Sequence, residues 1–354
     1  MKMLRFCLAV SLFMAFCELS AQPQDSGSIQ DLFFNGMKQG VTCYRIPALA
    51  TAPDGTLLAA IDERVPSCKD LGQNLDINIV LRKSFNHGKD WTAVEKVVDF
   101  PFGISASDPS FIIDQQAGSI FLFYNYMDHL NENDHYRFQY IQSVDNGITW
   151  SDPVDITNEI AKPEWGKNFV FITSGNGIQT KEGWLLHTLV HVGEKSGYVF
   201  GSDDHGQSWF LRNYPLKPAD ESKLVELSDG SWMLNARVNG LGKRMIHISA
   251  DQGNTWTSFE DTSLADPGCN AAILKLTAGK NRPMYFINPA SSFSRSKLTL
   301  KQSNDDGKTW EVVKVLYEGS SAYSSATILG NGMLGIFFER DDYSKNAFIS
   351  VPIR

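Results

Sequence analysis

A chain of 354 residues with 42% hydrophobic, 12% aromatic and only 20% charged residues has the balance of a packed globular protein, which excludes a largely disordered one. Its length suits one large all-β domain or two average domains. The formal net charge is -8 and no basic run is present, which argues against nucleic acid as a partner and means that any anionic substrate must meet a local positive cluster.

The chain opens MKMLRFCLAVSLFMAFCELSAQ, in which Lys2 and Arg5 precede an apolar run and the small-residue sequence LSA stands before Gln22. This pattern predicts a signal peptide over residues 1–21 and a secreted or periplasmic location. The run is too short and too polar at its end for a membrane anchor, and no other segment approaches the roughly 20 apolar residues of a span. A lipid-attachment site at Cys17 would want a small residue where Phe16 stands. With the leader gone, Cys43, Cys68 and Cys269 remain, an odd number without metal-like spacing. One disulfide plus a free thiol, or three buried thiols, both fit.

Two repeats then alternate along the chain. The first is a tight turn followed by a mostly apolar strand, as expected when both faces are buried. It reads DGTLLAAID from Asp54, AGSIFLFYNY from Ala117, EGWLLHTLVH from Glu182, DGSWMLNARV from Asp229, KNRPMYFINP from Lys280 and NGMLGIFFE from Asn331. The second is the box S-x-D-x-G-x-T-W, starting at Ser84, Ser143, Ser202, Ser249 and Ser303, at intervals of 59, 59, 47 and 54 residues. Its first copy, SFNHGKDW, is degenerate, with Asn86 for the Asp and Asp90 for the Thr. Each box predicts a turn in which the Asp accepts following backbone amides, Gly takes a left-handed position and Trp packs beneath, a structural role.

Six units of about 50 residues with few helical patterns predict an all-β fold, a six-bladed β-propeller of four-stranded antiparallel blades, as one domain over residues 22–354. The last segment, AFISVPIR, is expected to pair with N-terminal strands and close the ring.

Charged and polar residues stand at the ends of these apolar strands. In chain order they are Arg45 in YRIPAL, Arg64 and Asp70 in IDERVPSCKD, Asp108 in SDPS, Glu221 and Arg237 in ESKLVELSDGSWMLNAR, Arg295 in NPASSFSRSKLTLKQSNDDGKTW, Tyr323 in AYSSATIL and Glu339 in GIFFER. Together with the boxes, these motifs resemble the bacterial and animal-type exo-α-sialidases (neuraminidases), like glycoside hydrolase family 33, over essentially all of the chain after the leader.

The resemblance implies a catalytic set. Arg45, Arg237 and Arg295 would bind the substrate carboxylate, a geometry that lysine does not copy. Tyr323 would be the nucleophile and Glu221 its base, because a neutral phenol approaches an anomeric carbon bearing a carboxylate without the repulsion an Asp or Glu would meet. Asp70 would be the acid/base, Glu339 would fix Arg45, and Arg64 and Asp108 would bind the sugar. Tyr124, Tyr126 and Trp184 would line an N-acetyl pocket or serve the core.

The resemblance also implies hydrolysis of terminal α-linked sialic acid with retention, on glycoproteins, glycolipids or oligosaccharides, by a monomer. Transfer to another sugar, intramolecular transfer to an anhydro product, and a non-catalytic glycan-binding propeller are the alternatives. No cofactor or metal is implied: His187 and His191 would stand about 13 Å apart on one strand face, with no acidic motif beside them.

Overall fold

A computed structural model describes residues 27–132, 135–276 and 282–353. The predicted signal peptide and the opening of the KNRPMYFINP turn lie outside these residues. The described chain is almost entirely β, its helical content being one four-residue helix, Thr157–Ile160, and two short 3-10 turns. None of its helices is long and apolar enough to cross a membrane.

The strands form five hydrogen-bonded sheets. The first contains Cys43–Thr51, Leu57–Arg64, Ile77–Ser84 and Glu95–Val98 in antiparallel succession. The second contains Ile104–Asp114, Ser119–Asp128, Arg137–Ser143 and Val154–Asp155. In the third, Val170–Ile172 and Ile178–Gln179 both pair with Leu185–His191, followed by Ser196–Ser202 and Phe210–Leu211. The fourth is Ser222–Glu226, Trp232–Ala236, Lys243–Ser249 and Thr257–Ala265.

The last sheet has seven strands where the repeats predict two separate units. The reason is one strand of 18 residues, Glu311–Ile328. Its first half pairs with Ser296–Ser303 and its second half with Leu334–Arg340, so it belongs to two four-stranded groups at once. Lys345–Val351 then pairs with Gln30–Phe34, as the sequence led us to expect of the AFISVPIR segment.

Every residue of Leu57–Arg64, Leu185–His191 and Trp232–Ala236 is buried, which agrees with the reading of these runs as strands covered on both faces. Adjacent sheets share apolar layers. Ala50, Leu81 and Leu122 pack between the first and second sheets, and Phe123, Phe200 and Trp209 between the second and third. The seven-stranded sheet packs back on the first, where Phe33, Phe337 and Phe348 meet Leu49 and Ile61.

The boxes are turns between third and fourth strands. In the second copy, the Asp145 carboxylate accepts the Thr149 amide at 2.8 Å and its hydroxyl at 2.6 Å, while Ser143 Oγ accepts the Gly147 amide at 2.9 Å. Gly147 has φ of 82°, and a Cβ there would meet Leu58 of the first sheet at 2.8 Å, so the turn also spaces two sheets. The degenerate copy keeps the geometry by exchange: Asn86 accepts the Asp90 amide and donates to the Asp90 carboxylate, each at 2.9 Å.

Each inner strand starts at the end where its sheet's second strand finishes. Arg45 and Glu221 at strand starts, and Tyr323 where the second half of Glu311–Ile328 begins, therefore share an end of the molecule with Arg64, Arg237 and Glu339 at strand finishes, and the boxes fall at the other end.

Candidate active site

Three of the inner strands are interrupted where a candidate residue sits. The ladder shifts register between Arg45 and Ala48, between Ser107 and Ser110, and between Ser321 and Ser324. Ile46 and Asp108 have φ of 66° and 61°, each just before a proline. Such bulges turn side chains out of the ladder, which places Arg45, Asp108 and Tyr323 at the inner end of the sheets.

Glu339, fully buried, organises one side of the site. It accepts Arg45 Nε at 2.7 Å, the Ile46 amide at 3.0 Å and the Tyr323 amide at 3.2 Å. A single carboxylate thus binds the arginine, its bulge and the backbone of the candidate nucleophile.

Glu221, also buried, follows Asp220 and precedes the Ser222–Glu226 strand. One guanidinium nitrogen of Arg237, Nη1, donates both to the Glu221 carboxylate and, at 3.0 Å, to the Tyr323 hydroxyl. Arg237 Nε is held by Asn239 at 2.8 Å, and Asn239 in turn donates to Asp220. Burial pushes the Tyr323 phenol well above its ordinary 10, with the Glu221 charge adding to the effect. Burial likewise raises Glu221, against the opposing pull of Arg237. The phenol is therefore neutral at neutral pH and cannot ionise without a base beside it.

Arg295 lies with its guanidinium carbon 5.6 Å from the Tyr323 ring centre. Its Nη2 donates to the Gly268 carbonyl at 2.8 Å and its Nη1 to the Tyr343 hydroxyl at 3.3 Å. The Tyr343 ring also lies under Arg45, 4.2 Å from the guanidinium carbon. One tyrosine therefore braces two arginines. Arg45, Arg237 and Arg295 come from separate strands, are each partly exposed, and gather around Tyr323 as the motifs predict.

On the remaining side, Arg64 is fully buried and its donors are engaged. Nη2 and Nε reach Asp62 at 2.9 and 3.2 Å, while Nη1 reaches the Cys68 carbonyl at 2.9 Å and Asp70 at 2.7 Å. The sequence reading put Arg64 on the sugar; the structure gives it the work of holding Asp70. The Asp70 side chain is 81% exposed and stands on the loop fastened by a Cys43–Cys68 disulfide, with Cys269 left as a buried free thiol. Asp62 accepts Ser107 Oγ at 2.7 Å and the Asp108 amide at 3.0 Å, and burial lifts its carboxyl to about 6 despite Arg64. Asp108 accepts Asn125 Nδ2 at 3.1 Å and is raised well above its ordinary value by burial, then by Asp62.

A family model described as a BNR repeat-like domain matches residues 55–336. A sialidase of Micromonospora viridifaciens is 34% identical over 88% of this chain and 52% of its own length. The chain belongs to the sialidase family. A sialidase of Bacteroides fragilis is 29% identical over 84% of the chain and 60% of its own length, so the chain spans about half to three-fifths of these sialidase relatives. Among solved structures, the Hadza microbial sialidase Hz136 superposes with a TM-score of 0.80 at 27% identity, covering 89% of this chain and 66% of that one.

Of the two roles open to Tyr124, Tyr126 and Trp184, pocket lining or core, the structure shows packing in the core. Tyr124 is buried, with its hydroxyl on Gln139 at 2.9 Å, and Tyr126 sets its ring against Phe100 at 5.2 Å. Trp184 directly precedes the Leu185–His191 strand, at the box end of the molecule, and packs on Trp232 and Phe210. Conversely, Asp62 and Tyr343 escaped the sequence reading. Asp62 sits inside an apolar run, and its only signal is a carboxylate where a buried strand has no use for one; Tyr343 lies in a turn with no motif. Among the described residues no group of His, Cys, Asp and Glu has the makings of a metal site.

Proposed function

We propose that the protein is an exo-α-sialidase that releases terminal α-linked sialic acid with retention of configuration. The observation that carries this reading is the sharing of one Arg237 nitrogen by the Tyr323 hydroxyl and the buried Glu221 carboxylate, with Arg45 and Arg295 alongside. Arg45, Arg237 and Arg295 hold the substrate carboxylate. Glu221 takes the phenolic proton as the Tyr323 oxygen bonds to the anomeric carbon, and Asp70 gives its proton to the departing glycosidic oxygen. Water then attacks the same carbon, Asp70 takes the water proton, and the Tyr323 oxygen leaves and recovers its proton from Glu221.

The architecture that supports this reading is a closed six-bladed propeller forming one domain. It is favoured by the two four-stranded groups that share Glu311–Ile328, by the Gln30–Phe34 pairing and by the packing of the last sheet on the first. The leader-like first 21 residues favour action outside the cytoplasm, on sialylated glycoproteins, glycolipids or oligosaccharides.

The test is release of sialic acid from an α-sialoside, followed by NMR, with Tyr323→Phe beside the wild type. Free sialic acid appearing first as the α anomer, and collapsing in the variant, is the expected result. An anhydro or transferred product would make the protein a transferase on the same site, and binding without turnover would make it a glycan-binding module.

A further inference from the structure

The inner edge of the third sheet breaks directly beneath the site. Between Val170–Ile172 and Ile178–Gln179, the pair Gly175–Asn176 leaves its own sheet and joins the second as a parallel strand, opposite Ser110 and Phe111. In crossing, the segment meets the inner edge of every other strand group. Asn176 Nδ2 donates to the Leu49 carbonyl at 2.7 Å, and Asn176 Oδ1 accepts Ser325 Oγ, which itself accepts the Leu49 amide at 2.9 Å. The Ser174 carbonyl accepts Lys223 Nζ, and Ser174 Oγ accepts Asn270 Nδ2 at 2.9 Å.

Two of these partners stand in a particular relation to the site. Lys223 follows Glu221 by two residues, and Ser325 follows Tyr323 by two. Glu221 directly precedes its strand and Tyr323 sits in the bulge, so each partner lies within at most about 7 Å of chain from a reacting residue. The segment therefore grips the base strand and the nucleophile strand two residues along from Glu221 and Tyr323.

The fit is close. Gly175 has φ of 101°, and a Cβ there would lie 3.1 Å from Lys223 Nζ. Lys223 is 4% exposed and donates to the Ser174 carbonyl. Burial lowers the Lys223 ammonium to about 7, against the opposing pull of the nearby Glu221 and Asp108 carboxylates.

We propose that Ser174–Asn176, with Lys223 and Ser325, is a positioning hub that sets the distance between the Tyr323 hydroxyl and the Glu221 carboxylate; this rests on the function proposed above. The arginine clamp has further anchors outside the hub, Glu339 for Arg45, Asn239 for Arg237 Nε, and Gly268 with Tyr343 for Arg295. Loosening the hub should thus impair proton removal from Tyr323 while leaving carboxylate binding in place.

The test compares Asn176→Ala, Ser325→Ala and the double variant, with Asn176→Ser in reserve should the alanine fail to fold. We expect kcat on an α-sialoside to fall roughly tenfold to a hundredfold in each single variant, since misplacement by about 1 Å is that costly. The double variant should lose little more than either single, because both act on one contact. The dissociation constant of the unreactive analogue 2,3-didehydro-2-deoxy sialic acid should stay within about threefold. Unchanged kcat in folded variants, or a parallel loss of kcat and analogue affinity, would overturn the hub. A 3-fluorotyrosine at position 323 supplies a readout that needs no turnover: its fluorine resonance should move in Asn176→Ala, and a static resonance refutes the hub even if the wild type released no sialic acid and the functional reading failed.

Discussion

Replacing Glu339 by Gln is the most informative single change outside the reacting groups. Both carboxylate oxygens face donors: one takes Arg45 Nε and the Ile46 amide, the other takes the Tyr323 amide at 3.2 Å and Arg45 Nη2 at 3.5 Å. A glutamine amide has one acceptor oxygen, so its NH2 must point at donors whichever way it is turned. The variant loses the charge-assisted bond to Arg45, worth about 1.5–3 kcal/mol, and leaves a buried amide unsatisfied at about 1–3 kcal/mol. A loss of about 4 kcal/mol follows. With about 2.1 cal/mol/K of unfolding entropy per residue, a chain of 354 residues has about 0.7 kcal/mol/K, so Tm should drop by roughly 6 °C. The assay is thermal unfolding by circular dichroism or calorimetry, with KM measured in parallel because Arg45 loses its anchor. A Tm within about 1 °C of wild type would refute the view of Glu339 as the buried junction of arginine and nucleophile strands.

Further outcomes concern the boxes and the Asp70 loop. Asp145 is held down to about 2 from an ordinary 3.8, first by the Thr149 hydroxyl and then by the Thr149 amide. A depressed carboxylate stabilises the fold above its unfolded value and loses that contribution as pH falls through the folded one, so Tm should decline between pH 3.8 and about 2. Asp145→Asn should flatten that decline and lower Tm at pH 7, because the neutral amide lacks the charge that the Thr149 donors stabilise, and an unchanged acid slope would count against the box chemistry. Cys68→Ser opens a loop with a sequence separation of 25 and should cost about 3.5 kcal/mol on the chain-entropy model. It should also slow hydrolysis of an alkyl sialoside more than that of an activated aryl sialoside, since only the former needs a proton from a well-placed Asp70; equal slowing would deny Asp70 the acid role.

Much of the architecture was readable because repetition is a strong signal: six apolar runs and five boxes mark the turns and second strands. Two bulges could also be anticipated from the Ile46–Pro47 and Asp108–Pro109 pairs, whereas the one that turns out Tyr323 has no proline and left no mark. The shared 18-residue strand was not legible, since Gly319–Ser321 looks like a break between units and only long-range pairing keeps it extended. The same holds for the crossing of Gly175–Asn176, which depends on partners far away in sequence. The arginines, Tyr323, Glu221 and Glu339 were named as candidates through motifs. Tyr343 was missed because its value lies in where a turn with three successive left-handed residues, Asp341, Asp342 and Tyr343, delivers a ring.

The ion pair between Arg45 and Glu339 joins residues 294 positions apart, and the adjacent Gln30–Phe34 strand is completed only by Lys345–Val351. During synthesis Arg45 leaves the ribosome long before its carboxylate exists, and the first sheet has no neighbour on one side until the final strands emerge. The loop-closure entropy of that last contact is met in a single late event. A polypeptide interrupted shortly before Glu339 therefore carries most of the strands yet leaves Arg45 without its carboxylate.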